Sequence, residues 1–221
     1  MQEVVIIGAG AHAREVLDVF DAVNQVARRY YVLGFIVEPG FGTPGELVND
    51  LPILGGVDWL ETRAGALQAI CGVGAPELRR RLATHVAQRG VPFCSIVHPN
   101  AVLTRWVTMG SGVMISAGCV LTNRVRIGNH AHVNVGCTIS HDCLLEDFVT
   151  LAPGVHAAGG VRFREGCSVG VGTSIIPRCE VGAWSTVGAG SAIIRDVPAN
   201  STVAGVPGSV LMRQAGRHHL P

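Results

Sequence analysis

The 221-residue sequence is poor in aromatic and charged side chains, and it contains no long apolar run. Aromatic residues make up 5% and charged residues 15% of the chain, whereas apolar residues make up 48% and the mean hydropathy is +0.38. This composition excludes a disordered chain and a coiled coil. The formal net charge of +1 gives no basic patch for nucleic acid and no polybasic signal for a membrane surface. No segment approaches the roughly 20 apolar residues of a membrane-spanning helix.

Cysteine pairs and a secretion signal are also missing. The seven cysteines are an odd number without a CxxC motif, and the N-terminal MQEVVIIGAG lacks the basic start of a signal peptide. Free thiols in a reducing compartment fit this pattern better than a disulfide framework. We therefore predict a cytoplasmic protein.

Residues 1–94 alternate strand-like and helix-like segments. The apolar run Val4–Gly8 precedes a segment with helical spacing, and strand-like runs follow at 31–37, 52–54 and 66–73, with a second helix predicted over 76–89. Alternation of this kind predicts a small parallel sheet with right-handed crossovers.

The second half follows a six-residue rule. Starting at Val97 and stepping by six as far as Ile193, all 17 residues are apolar. At 48% apolar content, chance alone would give such a column about 4 times in a million in one register. A strict hexapeptide repeat is the signature of a parallel β-helix, in which three hexapeptides close one coil of 18 residues. The segment predicts roughly six coils.

A second column supports the same winding. The residues two positions before each large apolar residue, from Ala101 to Ser191, are never larger than valine. Both columns are expected to point into the prism. The second column contains five of the seven cysteines: Cys119, Cys137, Cys143, Cys167 and Cys179. We interpret these cysteines as small core residues rather than nucleophiles.

Three segments carry a family resemblance that extends over nearly the whole chain. They are IIGAGAHAREV at 6–16, HVNVGCTISHDCLLEDFVTLAPGVHAAGGV at 132–161, and VAGVPG at 203–208. With them the sequence resembles the bacterial sugar acetyltransferases that act on nucleotide-linked amino sugars or on sialic acid. The resemblance implies a Rossmann-like domain over 1–94, a left-handed parallel β-helix over 95–204 and a C-terminal tail over 205–221.

The strongest catalytic candidate is His141. It comes two residues after the inward Ile139, so we expect it at a corner with its side chain outside, next to the carboxylate of Asp142. Gly159 follows 18 residues later, one coil away along the axis, or about 4.8 Å. An imidazole beside a surface without side chains suits a thin thioester ligand. The resemblance implies that His141 is the general base and that Asp142 orients it, while the Gly159 amide stabilises the oxyanion.

The resemblance also assigns coenzyme and acceptor contacts. It places Gly159, Thr150, Val171 and Ala189 on acetyl-CoA, and Asn134 near the acceptor. Some relatives have a histidine where Thr150 stands, and the common Gly-Val-Pro-Ala ending is Gly-Val-Pro-Gly-Ser here, from Gly205 to Ser209. Family members assemble as trimers, which implies a homotrimer with active sites between subunits.

The N-terminal motif Gly8-Ala9-Gly10-Ala11-His12-Ala13 matches G-x-G-x-x-A, a strand–turn–helix loop whose amides hold phosphate. Only 94 residues precede the repeat, enough for one mononucleotide half, so a nucleoside diphosphate is favoured over NAD. Carried over from the family, Gly10 and His12 approach the diphosphate or sugar, Glu38 contacts ribose or base, and Gly74 lines the same pocket.

Other charged and imidazole side chains receive weaker assignments. His130, His132 and His156 raise the possibility of a metal site, but their pattern does not match the zinc-dependent hydratases of β-helix fold, and we expect no metal. For His156 the favoured interpretation is a solvated or interface histidine. For Arg79, neutralisation of a phosphate is weighed against a solvated helix face, which is the favoured interpretation.

The sequence therefore predicts an N-acetyltransferase that transfers the acetyl group of acetyl-CoA to a nucleotide-activated amino sugar, such as a UDP-4-amino-4,6-dideoxy sugar, in bacterial polysaccharide synthesis. The alternative within the family is O-acetylation of a sugar such as sialic acid. A γ-type metal hydratase and an inactive scaffold are more distant alternatives. The identity of the sugar, its acceptor position and its nucleotide remain open.

Overall fold

The computed structural model describes residues 1–63 and 65–213. It divides into two compact units: residues 1–99 together with 110–114, and residues 100–109 together with 115 onward. Within the described residues, neither helix is long and apolar enough to cross a membrane.

The first unit is built on a five-stranded sheet flanked by helices. Its elements are β1 (Gln2–Ile7), α1 (Ala11–Val26), β2 (Tyr30–Ile36), β3 (Leu47–Val48), β4 (Leu51–Gly55), a 3₁₀ helix (Val57–Arg63), β5 (Gln68–Cys71) and α2 (Pro76–Ala87). The strand order is β3-β4-β2-β1-β5; β1 is parallel to both β2 and β5, and β2 is parallel to β4, whereas β3 and β4 are antiparallel. The predicted α/β unit is confirmed.

Apolar spacing explains how this unit packs. Val16, Leu17 and Phe20 recur at helical intervals on α1 and are buried with Val4 and Ile6 of β1. Pro76 occupies the first turn of α2, where a missing backbone N–H costs no helical hydrogen bond. Because β1, β2 and β5 are parallel, their carboxyl ends meet at one edge of the sheet, beside the start of α1.

The hexapeptide repeat forms 17 strands of two residues each, spaced every six residues. They are β6 (Ile96–Val97), β7 (Val102–Leu103), β8 (Thr108–Met109), β9 (Met114–Ile115), β10 (Val120–Leu121), β11 (Arg126–Ile127), β12 (His132–Val133), β13 (Thr138–Ile139), β14 (Leu144–Leu145), β15 (Thr150–Leu151), β16 (His156–Ala157), β17 (Arg162–Phe163), β18 (Ser168–Val169), β19 (Ser174–Ile175), β20 (Glu180–Val181), β21 (Thr186–Val187) and β22 (Ala192–Ile193). Two more strands follow, β23 (Ser201–Ala204) and β24 (Ser209–Arg213).

Strands one coil apart pair in parallel and form the three faces of a prism. One face has the order β22-β19-β16-β13-β10-β7 and a second has the order β20-β17-β14-β11-β8. The third has the order β24-β23-β21-β18-β15-β12-β9-β6, with β24 antiparallel to β23. The predicted left-handed β-helix of about six coils is confirmed, and β24 lies within the segment expected as a tail, whose residues 214–221 are outside the described part.

Both predicted columns fill the prism. From Ile115 onward every member of the large apolar column is buried, and from Val113 onward so is every member of the small column. All five cysteines of the small column are inside, with Cys143 donating to the carbonyl of Ala158 over 3.2 Å. Burial raises the pKa of Cys143, so this thiol stays protonated and acts as a core residue.

Candidate active site

The corners of the prism share one backbone conformation. From Gly112 to Gly190, every sixth residue has a φ between 54° and 73°. Glycine occupies many of these positions, but Asp142 holds one with a φ of 61°. Aspartate tolerates this left-handed conformation better than most residues with a side chain. The sharp turn sends the side chains of His141 and Asp142 outward, as predicted.

His141 and Asp142 form a hydrogen-bonded pair. The Nδ1 of His141 lies 2.9 Å from Oδ2 of Asp142, and both side chains are exposed, at 67% and 47%. A carboxylate only accepts hydrogen bonds, so this contact favours the tautomer with its proton on Nδ1. Nε2 then carries the lone pair and is the atom able to take a proton from a substrate.

Arg124 completes this arrangement from the preceding coil. Its Nε lies 3.1 Å from Oδ1 of Asp142, so the two carboxylate oxygens have different partners. The hydrogen bond from His141, followed by the charge of Arg124, holds the pKa of Asp142 below its usual value. Sequence reasoning missed Arg124, although it precedes Asp142 by the 18 residues of one coil.

Gly159 lies directly beside the imidazole. A Cβ atom at Gly159 would be 2.5 Å from Cε1 and 2.6 Å from Nε2 of His141, closer than van der Waals contact allows. The neighbouring amide of Gly160 donates to the carbonyl of His141 over 2.8 Å, and the carbonyl of Gly159 accepts from the backbone amide of Arg178 over 3.0 Å. The absence of a side chain therefore permits the observed position of the ring.

The other residues assigned to coenzyme and acceptor lie elsewhere on the prism. Asn134 follows β12 and donates from Nδ2 to the carbonyl of Leu151 over 2.7 Å. Thr150 is part of β15, on the same face as β12, and is almost fully buried. Val171 and Ala189 are one coil apart at the corner that follows this face. Within one chain, the structure brings together His141, Asp142 and Gly159, but not these four residues.

The first unit contains a pocket of about 380 Å³ at the carboxyl edge of its sheet. The four predicted substrate-binding residues of this unit, Gly10, His12, Glu38 and Gly74, all line it. Gly10 precedes α1 with no side chain to cap the helix. The first-turn amides of α1 therefore face a region where an anion is favoured by the helix dipole.

Two polar side chains of the pocket have defined partners. Nδ1 of His12 lies 2.8 Å from Oε2 of Glu15, and Oε2 of Glu38 accepts from Nη2 of Arg81 over 2.7 Å. Burial lowers the pKa of His12 below 6.5, an effect that Glu15 opposes and that the charge of Arg79 reinforces. His12 is therefore neutral at pH 7.

The structure corrects the favoured interpretation of Arg79. This residue is fully buried, and its Nη1 donates to the carbonyls of Val73 and Gly74 over 2.8 and 2.9 Å. A solvated helix face was expected because three consecutive arginines occupy α2. Helical geometry instead turns the first of them towards β5, where the loop carbonyls accept its hydrogen bonds.

The remaining histidines of the β-helix have separate environments. His130 is buried and stacks on Phe148, with the ring centroids 5.0 Å apart. His156 is exposed, and its Nδ1 lies 2.8 Å from Oγ1 of Thr138. Across residues 1–63 and 65–213, no group of three or more His, Cys, Asp or Glu side chains is arranged to hold a metal ion.

Comparisons with known proteins match both units. Residues 3–86 match the model of the PglD N-terminal domain. Perosamine N-acetyltransferase from Caulobacter crescentus, crystallised as a histidine-to-asparagine variant with CoA and GDP-perosamine, is 30% identical, with a TM-score of 0.87 over 95% of this chain and 97% of that one. The chain belongs to the bacterial sugar acetyltransferase family.

Two further relatives of this family agree over nearly the full length. The acetyltransferase domain of PglB from Neisseria gonorrhoeae FA1090, in complex with acetyl coenzyme A, is 28% identical, with a TM-score of 0.85 over 95% of this chain and 99% of that one. GDP-perosamine N-acetyltransferase from Escherichia coli O157:H7 is 28% identical over 94% of this chain and 96% of its own length. Family membership confirms the predicted acetyltransferase class and acetyl-CoA as co-substrate.

Proposed function

We propose that this enzyme transfers the acetyl group of acetyl-CoA to the exocyclic amine of a nucleotide-linked amino sugar. The observation that carries the proposal is the position of His141, whose Nδ1 is held by Asp142 while its ring covers the bare Gly159. The relatives from Caulobacter crescentus and Escherichia coli, which are named for N-acetylation of perosamine, support this substrate class.

In the proposed reaction, Nε2 of His141 takes a proton from the amine as its nitrogen attacks the thioester carbonyl. An imidazole is suited to this transfer near neutral pH. The new C–N bond forms, the carbonyl oxygen becomes an oxyanion, and the tetrahedral intermediate then collapses as the C–S bond breaks. The histidinium returns the proton to the departing CoA thiolate, so no acyl-enzyme is needed.

Gly159 has two roles in this proposal. Its lack of a side chain leaves space for the imidazole and for the narrow pantetheine arm beside it. Its amide N–H is the donor proposed for the oxyanion, a contribution that reaches about 3–4 kcal/mol in other acyl-transfer sites. Asp142 keeps the imidazole in the tautomer that accepts the proton and stabilises the histidinium after transfer.

The pocket of the first unit is proposed to hold the nucleotide part of the acceptor. The diphosphate would meet the amides at the start of α1 after Gly10, while Glu38 reaches the ribose or base. His12 and Gly74, which lie close to each other on the pocket wall, would contact the diphosphate or sugar. The nucleotide is not fixed by these residues, so both UDP- and GDP-linked sugars belong in the test.

We further propose a homotrimer in which each active site is shared between two subunits. Within one chain, Asn134, Thr150, Val171 and Ala189 lie away from His141, so a neighbouring copy would have to supply them. At their corner, Val135 and Val171 are about half exposed, at 55% and 54%, although both are apolar. Sedimentation equilibrium tests this assembly; a monomer with full activity would contradict it.

The seven free cysteines support a cytoplasmic enzyme, and a role in polysaccharide biosynthesis completes the proposal.

The test of function combines purified protein and acetyl-CoA with a panel of GDP- and UDP-linked amino sugars and with sialic acid. Release of free thiol reports turnover, and mass spectrometry with NMR distinguishes an amide from an ester product. Acetylation of sialic acid alone would favour the O-acetyltransferase alternative.

The catalytic assignment is tested by His141→Asn. Loss of a general base is expected to lower kcat by about 10²- to 10⁴-fold with little change in either KM. His85→Asn, an exposed histidine on α2, is the matched control. Wild-type kcat in His141→Asn would exclude this residue as the base.

A further inference from the structure

Arg79 is a cation completely withdrawn from solvent. It has 0% exposure, and a single nitrogen, Nη1, bridges the consecutive carbonyls of Val73 and Gly74. Burial lowers the pKa of Arg79 to about 10, so it still carries its charge at pH 7. Burying a guanidinium is costly unless its hydrogen bonds and charge are compensated.

The turn that Arg79 holds is part of the pocket wall. A Cβ at Gly8 would lie 3.0 Å from Cγ2 of Val73, and a Cβ at Gly74 would lie 4.0 Å from Cγ of His12. The Val73–Gly74 turn therefore packs against the glycine loop and the first turn of α1. Any shift of this turn would move the wall that faces the proposed phosphate position.

The pocket itself has little positive charge. None of the described residues that line it is a lysine or arginine, and its one imidazole, His12, is neutral at pH 7 because burial lowers its pKa. Its polar wall consists largely of glycine backbone, and its one carboxylate, Glu38, already accepts from Arg81. A doubly charged ligand in such a pocket would be stabilised by the first-turn amides of α1 and, in addition, by a cation behind the wall.

We propose that Arg79 is a positioning residue for the diphosphate of the acceptor, clamping the Val73–Gly74 turn and placing a fixed positive charge behind it. This inference rests on the proposed function, because that function supplies the diphosphate. Because Arg79 is buried, its charge acts through the protein wall, where screening by water is weak. Arg79 acts through the turn and its field and does not contact the phosphates.

The experiment measures binding of GDP, GMP, UDP and UMP by calorimetry, without acetyl-CoA. Arg79→Gln removes the charge but keeps an amide donor for the loop carbonyls, and Arg79→Lys keeps the charge but loses the planar fork. Arg80→Gln, the neighbouring arginine on α2, is the control. Thermal melting of each variant reports whether the fold is retained.

For the nucleobase (guanine or uracil) whose diphosphate the wild type binds, Arg79→Gln is expected to weaken binding of the diphosphate about tenfold or more and binding of the monophosphate less. The diphosphate-to-monophosphate affinity ratio therefore falls, and Arg79→Lys restores most of it. A purely structural role would weaken both ligands equally, so an unchanged ratio in Arg79→Gln would overturn the inference while leaving the proposed function intact. If the wild type binds neither diphosphate, the nucleotide-sugar proposal fails as well.

Discussion

Nε of Arg124 lies 3.1 Å from Oδ1 of Asp142, across one coil of the β-helix. The other oxygen of the same carboxylate, Oδ2, faces Nδ1 of His141. The winding thus places an arginine, an aspartate and a histidine in a row, although Arg124 and His141 are 17 positions apart in the sequence. In this row Arg124 fixes the carboxylate that in turn orients the proposed base.

Replacing Arg124 by glutamine should therefore reduce turnover only moderately. The ion pair is exposed, so water screens it, and the hydrogen bond between His141 and Asp142 remains. We expect kcat to fall about two- to fivefold with unchanged KM values. Steady-state kinetics with Arg195→Gln, an exposed arginine almost four coils later, provides the control. Equal kcat in wild type and Arg124→Gln would show that Arg124 does not restrain Asp142.

A methyl group at Gly159 should impair catalysis by displacing the imidazole. The added Cβ would approach Cε1 and Nε2 of His141 to 2.5 and 2.6 Å, and the ring is exposed enough to swing away. We expect Gly159→Ala to fold normally and to lose at least about tenfold in kcat, because misplacement by about 1 Å is costly in catalysis. Gly56→Ala, whose Cβ would meet only the Val37 carbonyl at 3.8 Å, is the control. Full activity in Gly159→Ala would show that catalysis does not depend on the position of the imidazole that Gly159 permits.

The largely buried histidine of the first-unit pocket should make stability depend on pH. Burial lowers the pKa of His12 below 6.5, so the unfolded chain binds a proton more readily than the native state. His12 therefore leaves the free energy of unfolding unchanged well above pH 6.5. It lowers this free energy as the pH falls through 6.5 towards the lower native pKa. His12→Gln should show a smaller decrease in Tm than wild type between about pH 7.5 and pH 5.

Calorimetry at constant ionic strength measures that difference, with His85→Gln as the exposed control. The native pKa of His12 can also be followed directly by NMR of the imidazole protons. A titration at or above the ordinary value, or an identical loss of Tm in His12→Gln, would contradict the predicted linkage.

The stability of the prism should depend strongly on Phe163, the one Phe, Tyr or Trp side chain that is buried among the described residues of the β-helix. Phe163 is fully buried in β17, in a column otherwise made of aliphatic side chains. Phe163→Ala would leave a cavity between coils, and we expect a loss of about 3–5 kcal/mol in unfolding free energy. Phe163→Leu retains most of the volume and should lose clearly less. Denaturant unfolding followed by circular dichroism gives both values. A loss below about 1 kcal/mol in Phe163→Ala relative to wild type would indicate that neighbouring coils close the cavity.

Periodicity explains why the β-helix was predictable. Each large apolar residue of the column, from Val97 to Ile193, is the second residue of one of the 17 short strands. One repeat therefore determines the strands, the inward side chains and the corners together. Once Ile139 is assigned to the interior, His141 is assigned to a corner and Gly159 to the next coil, as the structure shows.

Features that the hexapeptide spacing alone does not specify are harder to anticipate. The sequence of α2 does not show how its turns meet β5, so Arg79 was assigned to solvent although it is buried. Arg124 was overlooked because its importance depends on Asp142, one coil away, rather than on its own neighbours. Strand β24 forms by antiparallel pairing with β23, which no hexapeptide predicts. These features depend on contacts between distant segments, which single-sequence patterns describe poorly.

The 18-residue coil also limits how the length of this domain can change during evolution or engineering. Loss of a whole coil, such as residues 162–179, would rejoin matching corners and faces, and the chain beyond would keep its orientation. Loss of one residue would instead turn every later side chain away from its column. Deletions and duplications should therefore be tolerated in whole coils, and loss of a coil on the C-terminal side would shorten the surface proposed for the coenzyme without moving His141.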